Sequence, residues 1–254
     1  MAARIDLNCD MGESFGAWRM GADEEVMPNI TSANVACGFH GGDPTVMRAT
    51  VRLARSAGVA VGAHPGFHDL LGFGRREIRV SPAEVEDGLL YQIGALAAVA
   101  HSEGVRLRHV KAHGALYNMA SRDTALADAI ARAVVAFDRS LVLFALPSSA
   151  LIEAGGAAGL RLAAEGFADR AYEPDGSLTP RSIAGAVIHD PDAVVARARR
   201  MIEDGLVLTR DGREIALRVD TLCVHGDTPG APELTRRLRA ALPEHGVDVR
   251  AVGA

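Results

Sequence analysis

Short apolar segments alternate with amphipathic helical patterns along nearly the whole chain of 254 residues. Apolar runs of this length, bounded by turn residues, are typical of buried strands. The predicted strands are Arg4–Cys9, Thr31–Cys37, Val59–Ala63, His109–Ala112, Leu141–Ala145, Arg161–Glu165 and Thr221–Val224.

Helix start and stop signals stand between these strands. Asp43 predicts an N-cap, Pro44 the first helical position and Gly58 the end of that helix. Ser81 and Glu84 have the spacing of a capping box that begins a long helix. Further helices are predicted at about Asp123–Ala136, Pro147–Ala158, Pro191–Asp204 and Pro232–Leu242.

The alternation of strands and helices predicts parallel strands joined by right-handed crossovers. About seven such units indicate one α/β domain over residues 1–254, a closed or nearly closed β/α barrel. An open, doubly wound sheet is the alternative architecture. One insertion precedes the last strand, with a predicted hairpin of Leu206–Leu208 and Glu214–Leu217 around a turn at Asp211-Gly212.

Composition narrows the class of protein. The net charge of −5 does not favour a nucleic-acid partner or an anionic membrane surface. No apolar run approaches the length of a membrane span, and no signal peptide is visible. Cys9, Cys37 and Cys223 are odd in number and form no CxxC pair, so we expect buried thiols in a reduced, cytoplasmic protein.

Chemically active side chains follow the strands at their carboxyl ends, where barrels place their active sites. Lys111 is the only lysine beside 26 arginines, and it ends the fourth predicted strand. The candidate catalytic residues are Asp10, His64, Lys111 and His113. The candidate residues for binding substrate or phosphate are Glu13, Asn34, His40, Gly41, Gly42, Asp43, Tyr117, Asp169, Arg170, His225 and Asp227.

Several of these residues also have a structural interpretation. Asp43 is a natural helix cap, and a single histidine at a strand end is more often structural than catalytic. Gly41-Gly42 precedes a helix N-terminus that would suit an anion, although glycine is also ordinary turn chemistry. No GxxxxGK[ST] loop is present, and no GxGxxG follows the first strand.

Four motifs carry a resemblance to a known family. They are Asp6–Glu13 (DLNCDMGE), Asn34–Asp43 (NVACGFHGGD), Gly62–Gly66 (GAHPG) and Val110–Asn118 (VKAHGALYN). The segments Glu165–Tyr172 and Val224–Asp227 extend the similarity over nearly the whole chain. The sequence resembles the LamB/YcsF family, whose members often have Pro where Ala112 stands here.

The resemblance implies a distorted seven-stranded β/α barrel related to glycoside hydrolases and sugar deacetylases. It also implies ATP-dependent ring opening of 5-oxo-L-proline to L-glutamate, in concert with 5-oxoprolinase subunits B and C. Lys111 would then stabilise an oxyanion or phosphate by about 3 kcal/mol. Asp10, His64 or His113 would act as base or acid, and His40, Gly41-Gly42 and Arg170 would hold a carboxylate or phosphate.

Two other functions remain open at this point. Asp10, His64 and His113 are residue types that suit a divalent metal, so metal-dependent amide hydrolysis is the first alternative. A substrate-binding subunit without catalytic activity is the second. The loop Gly66–Glu77 places apolar residues between glycines, which indicates a lid or a surface for a partner, or else a loop that packs its own side chains.

Overall fold

Parallel strands form a closed barrel in a computed structural model that describes residues 3–224 and 230–253. The barrel strands are β1 (Arg4–Met11), β2 (Ser32–Ala36), β3 (Ala60–His64), β4 (Leu107–Lys111), β5 (Val142–Ala145), β6 (Arg161–Gly166) and β9 (Thr221–Val224). The sheet closes because β9 pairs with both β6 and β1. This closure confirms the predicted seven-stranded β/α barrel and excludes the open sheet.

Helices surround the barrel. Those of the described residues are α1 (Asp23–Val26), α2 (Pro44–Ala57), α3 (Pro82–Ser102), α4 (Gly114–Ala120), α5 (Thr124–Asp138), α6 (Ala150–Ala157), α7 (Pro191–Glu203) and α8 (Ala231–Glu244). Ser81 and Glu84 form the predicted capping box of α3. No helix among the described residues is both long and apolar enough to cross a membrane.

The insertion between β6 and β9 contains the predicted helix and hairpin. Strands β7 (Leu206–Leu208) and β8 (Glu214–Ala216) pair antiparallel, and Gly212 has a φ of +84° in the turn. The preceding loop is held by an isolated bridge between Arg170 and Val187. This segment forms one wall above the carboxyl ends of the strands.

Some boundaries differ from the predicted ones. Strand β4 begins at Leu107 and ends at Lys111, and helix α4 starts almost at once, at Gly114. Helix α6 begins at Ala150 instead of Pro147, because Ser148 has a positive φ of 58° and Ser149 is the N-cap. Helices α1 and α4 and the two-residue strand β10 (Asp248–Val249) are too short to show a periodic pattern.

The three cysteines are buried and free, as predicted. Cys9 and Cys223 lie on the adjacent strands β1 and β9, and Cys37 directly follows β2. Burial raises the pKa of each thiol, so the neutral form is favoured. They pack mainly as small apolar groups, and Cys223 also contacts a residue of the candidate site.

Candidate active site

A cavity of about 420 Å³ opens at the carboxyl ends of the strands. Its walls come from the strand ends, helix α4 and the insertion. Asp10, His64, Lys111, His113 and Tyr117 line it, so the four predicted catalytic residues share one space. Parallel strands in a closed barrel present their carboxyl ends to one rim, which explains this convergence.

Lys111 is the centre of a buried ionic cluster. Its Nζ atom lies 2.9 Å from Asp10 Oδ1 and 2.8 Å from Glu165 Oε1. Cys223 Sγ at 3.0 Å and Asn8 Oδ1 at 3.3 Å complete its surroundings. Burial alone would lower the pKa of Lys111, but the Asp10 and Glu165 carboxylates outweigh it and raise that pKa well above the usual value. Lys111 is therefore a fixed positive charge.

Three of these contacts were not predicted as site residues. Glu165, Cys223 and Asn8 lie within strands β6, β9 and β1 and point into the barrel. The signal for Glu165 is present in the sequence, because it is an acid directly after the apolar run Leu162–Ala164 of a predicted strand. Its side chain is fully buried, a position that acids rarely occupy without a partner.

Asp10 is held from three sides. Asn34 donates a hydrogen bond of 2.8 Å from Nδ2 to Asp10 Oδ1, and Lys111 donates one of 2.9 Å to the same oxygen. His64 Nε2 lies 3.4 Å from that oxygen. The Asp10 side chain retains 13% of its exposure, against 4% for Lys111 and 1% for His64. It is thus the most accessible of these three groups from the cavity.

The orientation of His64 is set by the backbone. Its Nδ1 lies 2.8 Å from the carbonyl oxygen of Lys111, which can only accept a hydrogen bond. The proton therefore resides on Nδ1, and Nε2 carries its lone pair towards the side chains at the strand ends. The orientation of Asn34 is set by a side chain instead, because His109 Nε2 lies 2.8 Å from its Oδ1.

Glu13 and His40 join His64 and His113 in a second cluster beside the first. The possible ligand atoms of these four buried residues lie within 4.8 Å of one another. The rings of His40 and His113 stack with their centroids 3.7 Å apart. Burial lowers the pKa of both imidazoles well below the usual value, and the neighbouring histidines add to this effect, so both are neutral.

This grouping differs from the metal set predicted from the sequence. Asp10 does lie beside His64, with 3.4 Å between Oδ1 and Nε2, but its Oδ1 also accepts hydrogen bonds from Lys111 and Asn34. Glu13 instead faces the histidines, with its Oε1 3.4 Å from His40 Nε2 and 3.7 Å from His113 Nε2. The sequence could not rank the two acids, because both follow the predicted first strand, Arg4–Cys9.

The loop over residues 66–77 covers the histidines. Phe73 contacts the rings of His40 and His113 edge-on, at centroid distances of 5.7 and 5.3 Å. Phe67 is buried whereas Leu71 is 86% exposed, so the loop packs some apolar residues and presents others. The buried Phe67 fits a loop that packs its own side chains, and a role as a lid stays a prediction.

Gly41 and Gly42 allow two backbone segments to approach closely. A Cβ atom at Gly41 would lie 2.7 Å from the carbonyl oxygen of Glu13, and one at Gly42 would lie 2.7 Å from that of Ala36. Gly42 also has a φ of +77°. Backbone packing accounts for both glycines, and their role in binding an anion stays a prediction.

Asp43 has the capping role that its position indicated. Its Oδ1 accepts hydrogen bonds from the amides of Thr45 and Val46, and its Oδ2 accepts one from Gly16. These amides of helix α2 are thus already satisfied by the chain itself, which makes this N-terminus a poor anion site. Asp43 instead ties the loop after β1 to helix α2.

The remaining predicted binding residues divide into two groups. Tyr117 and Arg170 line the cavity, whereas Asp169 is buried beside it. Arg170 donates hydrogen bonds to the carbonyls of Ala186 and Thr179, which fix the insertion. Burial lowers the pKa of Arg170 to about 10, so it remains charged at neutral pH. His225 and Asp227 lie outside the described residues.

Positive charge also surrounds the mouth of the cavity. Arg75 comes from the covering loop, Arg122 follows helix α4, and Arg181 belongs to the insertion. Arg122 pairs with Glu77 across the entrance at 2.5 Å. Guanidinium groups bind carboxylates and phosphates well, so the entrance suits an anionic ligand. Arg75, Arg122 and Arg181 were not among the predicted site residues.

Known proteins are similar to this sequence over nearly its whole length. A family model described as the LamB/YcsF family matches residues 5–254. A protein of Symbiobacterium thermophilum, named as the A subunit of 5-oxoprolinase, is 62% identical over 99% of this chain and 96% of its own length. A protein of the same name from Bordetella parapertussis is 57% identical over 99% of this chain and 100% of its own length.

Solved structures agree with the fold. The lactam utilization protein from Thermus thermophilus matches with a TM-score of 0.93 and 54% identity, covering 98% of this chain and 99% of that one. The catalytic domain of a peptidoglycan N-acetylglucosamine deacetylase from Eubacterium rectale, at 10% identity and a TM-score of 0.52, covers 100% of this chain and 90% of that one and shares only the fold. The chain belongs to the LamB/YcsF family.

Proposed function

We propose that this chain carries the hydrolytic site of an ATP-dependent 5-oxoprolinase, which opens 5-oxo-L-proline to L-glutamate. The observation that carries the proposal is the pair of Asp10 and Lys111 at the floor of the cavity, with 2.9 Å between Oδ1 and Nζ. The names of the relatives, the A subunit of 5-oxoprolinase and a lactam utilization protein, support the same substrate class.

The substrate is an unstrained five-membered lactam, which is a poor electrophile. Its hydrolysis therefore needs activation, and phosphorylation of the lactam oxygen by ATP supplies it. Water then adds to the activated carbon, and the tetrahedral intermediate expels the ring nitrogen, which takes up a proton, to leave an acyl phosphate. A second water hydrolyses this acyl phosphate to the glutamate carboxylate and inorganic phosphate. The site consequently needs a base for water, positive charge for the oxyanion and donors for carboxylate and phosphate.

Asp10 is the base in this proposal. It is an acceptor-only group fixed by Asn34 and Lys111, and its side chain is more exposed to the cavity than those of Lys111 and His64. A proton taken from water by Asp10 would remain next to the departing nitrogen, where the same residue can return it. Positioned bases of this kind contribute about 10²–10⁴-fold to the rate.

Lys111 supplies the positive charge. Its weakest contacts are those to Cys223 Sγ at 3.0 Å and Asn8 Oδ1 at 3.3 Å, and an oxyanion is a stronger acceptor than either. Burial strengthens the electrostatic effect of this charge compared with one in water. The arginines at the entrance, Arg75, Arg122 and Arg181, suit the substrate carboxylate and the phosphate groups.

Partner subunits belong to the proposal, because the relatives are named as one subunit of an enzyme. The sequence has no GxxxxGK[ST] loop, so we assign the phosphorylation step to a shared site or to partner subunits B and C. In this arrangement the cavity receives the activated lactam and completes its hydrolysis.

The test is the complete reaction, reconstituted from all three subunits and followed through glutamate and phosphate release. We expect Asp10→Asn to lower turnover at least about 100-fold, since the base is lost while the shape is kept. Asp128→Asn, an exposed acid on helix α5, is the matched control and should leave turnover unchanged. Wild-type turnover by Asp10→Asn in a folded chain would refute the assignment.

A further inference from the structure

Four strand ends bring one carboxylate and three imidazoles together behind the cavity. Glu13 follows β1, His40 follows β2, His64 ends β3 and His113 lies between β4 and α4. Each is at least 95% buried, and their possible ligand atoms all lie within 4.8 Å of one another. Three nitrogens and one carboxylate oxygen form a ligand set that is typical of divalent transition metals, zinc in particular.

The three histidines of this cluster have few hydrogen-bond partners among the described residues. Both ring nitrogens of His40, Nε2 of His64 and Nδ1 of His113 are buried and accept or donate no hydrogen bond among the described residues. Such atoms are rare in folded proteins, because each unsatisfied buried group costs about 1–3 kcal/mol. A bound cation would satisfy nitrogen lone pairs that the chain itself leaves without a partner.

One ligand is already oriented for metal binding. His64 Nδ1 donates a hydrogen bond of 2.8 Å to the carbonyl oxygen of Lys111, which leaves Nε2 facing the cluster as the possible ligand atom. Metal-binding histidines usually have such a hydrogen bond on the other ring nitrogen. Tetrahedral zinc places its ligand atoms about 3.4 Å apart. Small side-chain rotations therefore suffice to close a cluster whose widest separation is 4.8 Å.

Two glycines leave space for the histidine rings of the cluster, and Phe73 covers these rings. A Cβ atom at Gly74 would lie 2.7 Å from His113 Nδ1, and one at Gly66 would lie 2.9 Å from His40 Nδ1. Phe73 closes the outer side with edge contacts to His40 and His113. The side of the cluster that faces this loop is thus tightly packed, and such surroundings fix the orientation of metal ligands.

We propose that Glu13, His40, His64 and His113 bind one divalent transition-metal ion of the zinc class. His64 and His113 also line the cavity, so the ion would lie at its wall, next to Asp10 and Lys111. This ion is separate from the ionic cluster of Lys111 and does not depend on the lactam reaction. Asp10 does not bind the metal in this proposal and keeps its role as base.

Metal binding is measured on the isolated chain, without ATP or substrate, so the result is independent of the proposed activity. The protein is dialysed against a chelator and titrated with ZnCl₂ by calorimetry, and with CoCl₂ by visible absorption. We expect a single equivalent to bind, with a higher Tm and the absorption bands of four-coordinate cobalt. No saturable binding by the wild-type chain would overturn the proposal.

Variants identify the ligands. We expect His40→Gln and Glu13→Gln to weaken binding at least tenfold, since each removes one ligand. His101→Gln, on the exposed end of helix α3, and Asp10→Asn should bind as the wild type does. Wild-type affinity in both ligand variants, or binding lost only in Asp10→Asn, would contradict the assigned set. Circular dichroism of each variant in the absence of metal separates loss of a ligand from loss of the fold.

Discussion

Buried polar side chains inside the barrel form a connected series beneath the candidate site. Asp6 accepts hydrogen bonds from Ser32 and from Thr221, and Thr221 in turn accepts one of 2.8 Å from Asn8. Asn8 accepts from Asn34, which donates to Asp10. Each residue of the series limits the orientation of the next, so the position of Asp10 is set from below.

His109, which contacts Asn34 of this series, makes the stability of the fold depend on pH. Burial, with repulsion from Lys111 as a smaller cause, lowers the pKa of His109 to about 3, whereas an unfolded histidine has a pKa of about 6.5. The unfolded state thus binds a proton as the pH falls below about 6.5, and the folded state does not. The contribution of neutral His109 to the free energy of unfolding is fully present above about pH 6.5, and it is lost as the pH falls towards 3.

We expect His109→Gln to lose less stability than the wild type between about pH 6 and pH 5, by up to about 1.4 kcal/mol. Glutamine can still donate to Asn34 but does not titrate. Urea unfolding at the two pH values measures the difference. His101→Gln, at an exposed position, should follow the wild-type slope. Equal slopes in all three proteins would contradict the neutral state of His109.

At the scale of elements, strands β3 and β4 pack closely because Gly62 of β3 has no side chain where the ring of His109 of β4 lies. A Cβ atom at Gly62 would lie 2.2 Å from the His109 ring, which stacks on Phe144 with 4.3 Å between centroids and contacts Asn34. The ring cannot move without breaking both contacts. Glycine in this strand is therefore required by the inward side chain of its neighbour.

We expect Gly62→Ala to lower the free energy of unfolding by about 3 kcal/mol, because a methyl group is forced into a packed site. Gly94→Ala is the matched control, since nothing lies within 4 Å of its Cβ position in helix α3. It should raise stability by about 0.5–1 kcal/mol. Urea unfolding measures both, and equal effects of the two changes would show that the contact at Gly62 relaxes at little cost.

At the scale of the whole molecule, the site exists only because the barrel closes. The pairing of β9 with β1 and β6 brings Cys223 next to Lys111 and encloses Glu165. The ion pairs of Lys111 connect β4 with β1 and β6 across the barrel. Removing one member leaves an uncompensated buried charge, which generally costs about 3–5 kcal/mol.

We expect Lys111→Met to destabilise the chain by about 3–5 kcal/mol, and Lys111→Met with Glu165→Gln to recover part of this loss. The comparison is Arg132→Met, which breaks an exposed pair with Glu86 at 2.8 Å and should cost less than about 1 kcal/mol. Urea unfolding of the three variants measures these differences. A loss in Lys111→Met as small as in Arg132→Met would exclude a buried, charged cluster.

The sequence by itself determined the order of strands and helices and the residues at the strand ends. Asp43 and Ser81 begin their helices as predicted, because a cap depends on residues two or three positions away. The convergence of Asp10, His64, Lys111 and His113 also followed from sequence, since parallel strands place their ends on one rim. Local patterns carry this information because their contacts are local.

Tertiary structure alone decided which of these residues contact one another. Asp10 and Glu13 lie at the carboxyl end of the same strand, yet Glu13 faces His40 and His113 whereas Asp10 faces Lys111. Glu165 and Cys223 became site residues only through the register of β6 and β9. These contacts join residues up to 112 positions apart. They depend on strand register and barrel closure, which no local pattern of the chain records.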